Sequence, residues 1–253
     1  MLLRERQEQL IRLVNEYGVL SVEELSDKLN VSKATIRRDI NELDQTGKLE
    51  KVFGGATALS KGINTIEYDM NFKSNSCIDE KDAIARYSAT LIQSTDIIFI
   101  DSGSTTLKVL SYVPKGCPAT FVTNGIEHAR TLVDLGFNSI LIGGRLKART
   151  EAVVGTESIR QLDKFNFTKC FLGTNGISLT AGLTTPDSEE AAVKEKVLSK
   201  SYISYILADH TKFNMVDAIS FGSIEKSVII TDICHDKRYL DKTIIKEVLR
   251  KED

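Results

Sequence analysis

The chain has no tryptophan, three prolines and three histidines among its 253 residues. So little proline argues against a Pro-rich disordered chain. The histidines, His128, His210 and His235, have no paired spacing, so neither a metal site nor a cofactor is expected. No run of about 18 apolar residues occurs, which excludes a conventional membrane-spanning helix. The N-terminal Met1-Leu2-Leu3-Arg4-Glu5-Arg6 turns polar at once, so no secretory signal is expected. The four cysteines (Cys77, Cys117, Cys170, Cys234) lie 40, 53 and 64 residues apart. That spacing fits neither a disulfide framework nor zinc ligands, and predicts reduced, mostly core thiols in a cytoplasmic protein. Neither charge sign dominates. Lys and Arg number 33 against 35 Asp and Glu, a net charge of -2, so any nucleic-acid signal must come from local pattern. The length allows one large domain or two unequal ones.

The first sixty residues are near neutral, with nine basic and ten acidic side chains. Their periodicity is more informative. Leu10, Leu13, Val14 and Tyr17 share one helical face, and Gly18 is expected to end that helix. Ser21-Val22-Glu23-Glu24 is a capping-box pattern, opening a second helix that buries Val22, Leu25 and Leu29. Asn30-Val31 makes a tight turn. Ser32 then caps a third helix that runs to about Thr46, with Gly47 as its stop. Ile36, Ile40 and Leu43 form its core stripe. Ala34, Thr35, Arg37 and Arg38 lie between about 100° and 260° away from Ile36, on the opposite side. The acids Asp39, Glu42 and Asp44 come later on the helix.

This is the pattern of a helix-turn-helix whose third helix enters the DNA major groove. Arginines there bond guanine bidentately or clamp phosphates. Lys48 to Ala56 reads as a wing: short strands at Leu49 and Val52-Phe53, ended by the Gly54-Gly55 pair, setting Lys48 and Lys51 beside the same DNA. The expected DNA-binding set is Ser32, Lys33, Ala34, Thr35, Arg37, Arg38, Lys48 and Lys51. A three-helix cap with a solvated charged face is the plain alternative. Capping, turn length, the outward polar set and the wing together favour operator DNA. The core stretch VSKATIRRDINELDQTGKLEKVFGGA resembles the N-terminal signature of the DeoR family of bacterial transcription regulators. Ile40 stands where Leu is common in that signature, and Phe53 where His is common.

Three segments are expected: residues 1–57, a winged helix-turn-helix; residues 58–78, a linker rich in Ser, Asn and Thr; and residues 79–253, an α/β domain. Apolar runs begin at Ile97, Ala119, Ser139, Lys169, Tyr202 and Ser227, with helical patterns between them at about 105–113, 125–135, 155–164 and 187–200. Continuous apolar strands separated by helices predict a parallel sheet covered on both faces. Ligands bind such sheets beyond the C-terminal strand ends.

Those ends are small, polar or charged. Asp101-Ser102-Gly103-Ser104-Thr105-Thr106 leads into a helix and suits phosphate, with Asp101 ordering the loop or bonding a sugar hydroxyl. Asn124 ends the next strand. Gly143 and Gly144 clear space where Arg145 or Lys147 meets a phosphate. Asn175 and the segment from Asp209 to Lys212 end two more. Thr185 is expected to cap a helix with Pro186 in its first turn. Taken singly, each motif has a plain reading: Glu189, Glu190 and Lys194 as a solvated i,i+4 set, His210 as a capping residue. Their convergence predicts a polyol-phosphate pocket.

The segments FIDSGSTT, VTNG, LIGG, GTNGI, GLTTPDSEEAAVK and ADHTKF resemble the effector domain of the same family. That domain is similar in fold to ribose-5-phosphate isomerase and the CoA transferases. The resemblance implies phosphate on Ser102, Gly103, Ser104, Thr105 and Thr106. It implies sugar contacts from Asp101, Asn124, Asn175, Glu189 and Lys212. GLTTPDSEEAAVK with DHTKFN is most similar to repressors of fructose-utilisation operons, which makes fructose 1-phosphate the first candidate effector. An aldose-ketose phosphate isomerase is the rival reading, with Asp101, Glu189, Lys212 and His210 as possible acid-base groups. Such an enzyme has no use for a winged helix, and no local context marks the activated Glu that a CoA transferase needs. A small, near-neutral DNA-binding domain binds weakly alone, so a homodimer or homotetramer on repeated half-sites is expected.

Overall fold

Two compact units make up the chain, Met1–Gly62 and Ile63–Asp253. The structure is a computed structural model that describes residues 3–17, 19–57, 63, 65 and 69–249. In the first unit, α1 (Leu3–Tyr17), α2 (Val22–Leu29) and α3 (Lys33–Gln45) enclose a core. Leu10, Val14, Leu25, Ile36, Ile40, Leu43, Leu49 and Ala56 are its fully buried members. Strands β1 (Val19–Ser21), β2 (Glu50–Val52) and β3 (Gly55–Thr57) form a small antiparallel sheet in the order β1-β3-β2.

Local chemistry sets these boundaries. Ser21 accepts from the Glu24 amide while Glu24 accepts from the Ser21 amide at 2.8 Å, the reciprocal capping box. Asn30 takes the left-handed conformation (φ 52°) at the end of α2, Ser32 accepts from the Thr35 amide, and Gly47 (φ 64°) follows α3. Several expectations need correction. Tyr17 is half exposed, beneath the Lys28 ammonium at 4.3 Å, because the core closes at Val14. Asp39, one of the three acids of α3, is buried and accepts from Arg6 Nε at 2.5 Å and Nη2 at 3.0 Å. The wing turns at Phe53-Gly54, and Gly55 begins β3 instead of ending the hairpin. A Cβ at Gly55 would lie 2.1 Å from the Leu20 carbonyl of β1, so only glycine lets that third strand pair. Gly18 lies outside the described residues.

The second unit begins earlier than residue 79. Helix α4 (Met70–Ser74) occupies part of the expected linker, capped by Asp69, whose carboxylate accepts from the Phe72 amide at 2.8 Å. Its five residues are too few for periodicity to show. Much of residues 58–68 lies outside the described residues. After α5 (Ile78–Ala89) come β4 (Ile97–Ile100), α6 (Ser104–Leu110), β5 (Thr120–Thr123), α7 (Ile126–Asp134), β6 (Asn138–Leu141), β7 (Arg145–Leu146), β8 (Val153–Val154) and α8 (Thr156–Leu162). There follow β9 (Phe167–Gly173), β10 (Gly176–Ser178), β11 (Gly182–Thr185), α9 (Ser188–Ser199), β12 (Ser201–Leu207), β13 (Ile219–Gly222), β14 (Val228–Thr231) and β15 (Ile244–Glu247).

Seven strands form a parallel sheet in the order β15-β14-β12-β9-β4-β5-β6. Alternate residues go to opposite layers. Ile98, Ile100, Phe121, Leu207 and Ile230 pack with α5, α6 and α7. Phe99, Val122, Leu172, Ile206 and Ile229 pack with α8, α9 and a small antiparallel sheet of β10, β11 and β13. The six expected strands are all in this sheet. The seventh, β15, reads as polar IIKE because it is an edge strand. Asp187, not Thr185, caps α9: its carboxylate accepts from the Glu189 and Glu190 amides, and Thr185 stays in β11.

Candidate nucleic-acid interface and ligand cleft

On α3, Lys33, Ala34, Arg37 and Arg38 are exposed, as is the cap Ser32, whereas Thr35 is half-buried and shares a hydroxyl bond with Ser32 at 2.9 Å. Lys33 is tied to Glu23 of α2 by an exposed ion pair. Arg37 and Arg38 carry no ion pair among the described residues, so both guanidinium groups remain available to an anionic partner. Lys48 and Lys51 are exposed on the wing. Phe53 stands at the hairpin turn with its side chain fully in solvent.

In the second unit, the C-terminal ends of β4, β9 and β12 converge on a cleft of about 140 Å³. Asp101, at the end of β4, is buried and makes an ion pair with Lys194 of α9. It also accepts from the Gly173 amide at 3.0 Å, and Lys194 donates to the Gly173 carbonyl at 2.9 Å. Glu190 is buried and accepts from Lys147 at 3.1 Å and Thr150 at 2.7 Å. Lys212 Nζ lies 4.0 Å from Asp209. Lys81 of α5 is 4% exposed and lines the same cleft; burial holds its pKa below the ordinary lysine value. A wider neighbouring cleft of about 630 Å³ shares Met70, Ser102 and Thr150 and adds His128 and Arg149.

The loop after β4 rests on a buried histidine. His128 Nε2 bonds the Gly103 carbonyl at 3.1 Å and Thr106 Oγ1 at 3.2 Å. A carbonyl only accepts, so Nε2 carries the proton. Burial pushes the His128 pKa down to about 4, so the ring is neutral at pH 7. Gly125 makes room for it, since a Cβ there would lie 2.5 Å from His128 Nδ1.

Residues 6–62 match the family profile of the DeoR-like helix-turn-helix domain, and residues 76–233 that of the DeoR C terminal sensor domain. The chain belongs to the DeoR family. It is 37% identical over 251 residues to a Bacillus subtilis protein named as the uncharacterized HTH-type transcriptional regulator FruR, covering 98% of this chain and 99% of that one. The B. subtilis HTH-type transcriptional regulator IolR is 34% identical, with 92% and 93% covered. A lactose phosphotransferase system repressor of Staphylococcus aureus is 33% identical, with 96% and 98% covered. Among solved structures, ribose 5-phosphate isomerase A from Methanocaldococcus jannaschii matches 53% of this chain and 54% of its own at 13% identity and a TM-score of 0.41, a likeness too slight to carry weight. This DeoR-family chain is a transcriptional regulator, not the isomerase of the rival reading. None of its described helices is long and apolar enough to cross a membrane.

Of the expected ligand residues, Asp101, Ser102, Gly103, Ser104, Thr105, Asn175 and Lys212 line the smaller cleft. The others do not. Thr106 turns inward and donates to the Asp101 and Gly103 carbonyls. Asn124 is buried, with Nδ2 3.4 Å from the Val153 carbonyl and Oδ1 lacking a hydrogen-bond partner. Gly143 and Gly144 pack on α8, where Gln161 accepts from the Gly143 amide at 2.9 Å. Arg145 pairs with Glu189 near the surface, and Lys147 with Asp187 at 2.9 Å and with Glu190. Glu190 and Lys194 are therefore no solvated i,i+4 pair: each reaches back to a residue more than forty positions away. Lys81 and Thr150 carry no sequence signal, because nothing within a few residues distinguishes them from surface polar groups. His210 is a positioning contact, its Nδ1 2.6 Å from Asp232, and Glu80 lies close to both.

Proposed function

We propose that this regulator represses a sugar-utilisation operon and that a phosphorylated sugar, bound in the sensor domain, modulates its grip on operator DNA. The lysine balance of the cleft carries the reading. Four lysines line it, Lys73, Lys81, Lys194 and Lys212, against three carboxylates, Asp101, Glu190 and Asp209. The lining thus carries one positive charge in excess, beside the hydroxyls of Ser102, Ser104 and Thr105. A phosphate dianion suits such a set, and charge-assisted bonds are about twice as strong as neutral ones. Fructose 1-phosphate is the first candidate, from the resemblance of GLTTPDSEEAAVK with DHTKFN to repressors of fructose-utilisation operons. Arg37, Arg38, Lys48 and Lys51 are the proposed operator contacts, in a cytoplasmic homodimer or homotetramer on repeated half-sites.

Calorimetric titration tests the ligand class. Fructose 1-phosphate, or another hexose phosphate of a panel, is expected to bind at least about a hundredfold more tightly than the free sugar, about 2.7 kcal/mol. Equal affinity for sugar and phosphate would remove the reading. Ser104→Asp, which sets a carboxylate in the cleft, is expected to abolish the response while operator binding in a gel shift persists.

A further inference from the structure

Two carboxylates and two imidazoles gather at the C-terminal ends of β12 and β14, which are neighbours in the parallel sheet. Glu80 stands in the first turn of α5, His210 opens the turn after β12, and Asp232 directly follows β14. One possible ligand atom of each of these three lies within 4.8 Å of the other two. Asp232 is buried and accepts from the His210 amide at 2.7 Å and from His210 Nδ1 at 2.6 Å. The proton is therefore on Nδ1, and Nε2 of this half-buried ring makes no hydrogen bond among the described residues. Neither Glu80 nor Asp232 pairs with a lysine or arginine of the described residues, whereas Asp96, Asp101 and Glu190 each have a lysine. Two negative charges thus lie close together with no lysine or arginine bridging them. The fourth group, His235, is exposed, and its ring centre lies 6.2 Å from that of His210.

We propose that Glu80, His210 and His235 are the ligands of a divalent transition-metal ion, with zinc the best match, and that Asp232 holds His210 in place for it. Two imidazoles and one carboxylate form a three-ligand zinc set that leaves the fourth position to water. Imidazole nitrogen favours zinc over magnesium or calcium, which take oxygen. A carboxylate on the far nitrogen of a ligating histidine fixes its tautomer and orientation, the part Asp232 plays at Nδ1. Two imidazoles on one tetrahedral zinc ion have ring centres about 5 Å apart, so a small rotation of the exposed His235 ring completes the set. The spacing of the histidines along the chain gives no sign of this site, because three separate segments assemble it. The packing of Ile84 of α5 with Ile230 of β14 in one core layer brings them together. The ion joins the start of α5 to the turns after β12 and β14. Asp209 and Lys212, in the same turn as His210, line the ligand cleft, so the ion steadies one wall of it.

The experiment uses the full chain, freed of metal with a chelator and titrated calorimetrically with zinc, manganese and magnesium chlorides. One equivalent of zinc is expected to bind, at least about tenfold more tightly than manganese, in the order set by ligand affinity, with magnesium weakest. Glu80→Gln and His235→Ala change side chains outside the core. Each is expected to weaken zinc by about 10- to 100-fold or more, since even an outer-shell partner is worth that much. Cobalt(II), bound in place of zinc, should show no thiolate absorption band, which separates this site from one built on Cys77 or Cys234. Zinc should also slow hydrogen exchange at the amides of residues 78–82 and 209–213 in the wild type, and not in Glu80→Gln. Zinc bound no better than magnesium, a thiolate band, or unchanged zinc affinity in either variant overturns the proposal. None of these readouts involves a sugar or DNA, so the proposal stands or falls apart from the reading of the ligand. The wild-type titration and the cobalt spectrum decide the matter even if a variant does not fold.

Discussion

Asp101 and Lys194 stand 93 residues apart in the chain and meet as a buried ion pair, with side-chain exposures of 4% and 6%. The pair joins the end of β4 to α9, and both partners bond the Gly173 backbone at the end of β9. Removing one partner leaves a buried charge uncompensated. Lys194→Ala is therefore expected to destabilise the sensor domain by about 3–5 kcal/mol. Adding Asp101→Asn to that variant should restore part of the loss, because the two substitutions share one interaction. Denaturant unfolding of the two single variants and the double variant checks this. Additive losses would show that the pair acts as two independent residues.

A second expectation follows from His128. Its folded-state pKa of about 4 lies below the ordinary 6.5, so the unfolded chain binds a proton there that the folded chain refuses. The stability it contributes is complete above pH 6.5. It declines as pH falls toward 4, a window worth about 3 kcal/mol. The difference in unfolding free energy between wild type and His128→Asn should shrink by about that amount between pH 7 and pH 4. A constant difference across the range would mean that the ring is not held neutral.

The exposed arginines of α3 bear on operator recognition. Arg38→Ala or Arg37→Ala is expected to cost about 1–3 kcal/mol of operator affinity where the guanidinium reads a base. Domain stability should stay within about 0.5 kcal/mol, as for other exposed sites. Gel shifts on operator DNA, beside thermal unfolding, measure the two effects. Unchanged affinity in both single variants would remove α3 from the groove.

Phe53 provides a separate check on the wing. A large apolar side chain held wholly in solvent at a hairpin turn contributes nothing to the core. Phe53→Ala should leave unfolding unaltered. If the wing lies along the DNA, the same change is expected to weaken binding by about 1 kcal/mol, less than full burial of a phenylalanine brings. The loss should be similar on operator and random DNA, because a wing against the backbone reads no bases. Fluorescence anisotropy with both DNAs measures it.

The features legible in the chain are those whose cause lies within a few residues. Ser21 and Glu24 cap each other three positions apart, and Ser32 reaches the Thr35 amide. Ile36, Ile40 and Leu43 repeat at the helical period, and all three are buried. The parallel strands are legible for a similar reason. A sheet covered on both faces favours apolar residues on both sides of a strand, so inner strands such as Ile97–Ile100 and Val228–Thr231 appear as apolar runs.

The sequence by itself determined the two domain types, the exposed face of α3 with Arg37 and Arg38, and the strand ends where polar residues collect. Only the tertiary structure decided which of those polar residues face the ligand cleft. Asp39 was legible as one acid among three on α3, yet it is buried against Arg6, 33 residues earlier. Glu189 and Glu190 are adjacent and chemically alike, but one faces solvent with Arg145 while the other is buried with Lys147 and Thr150. Lys81 sits in an ordinary charged helix start, yet it is buried and donates to a carbonyl on a helix of only five residues. Helix period and capping act through backbone geometry that every residue carries. The worth of a charge depends on how much water and which partner its surroundings leave it, and the packing of distant segments sets both.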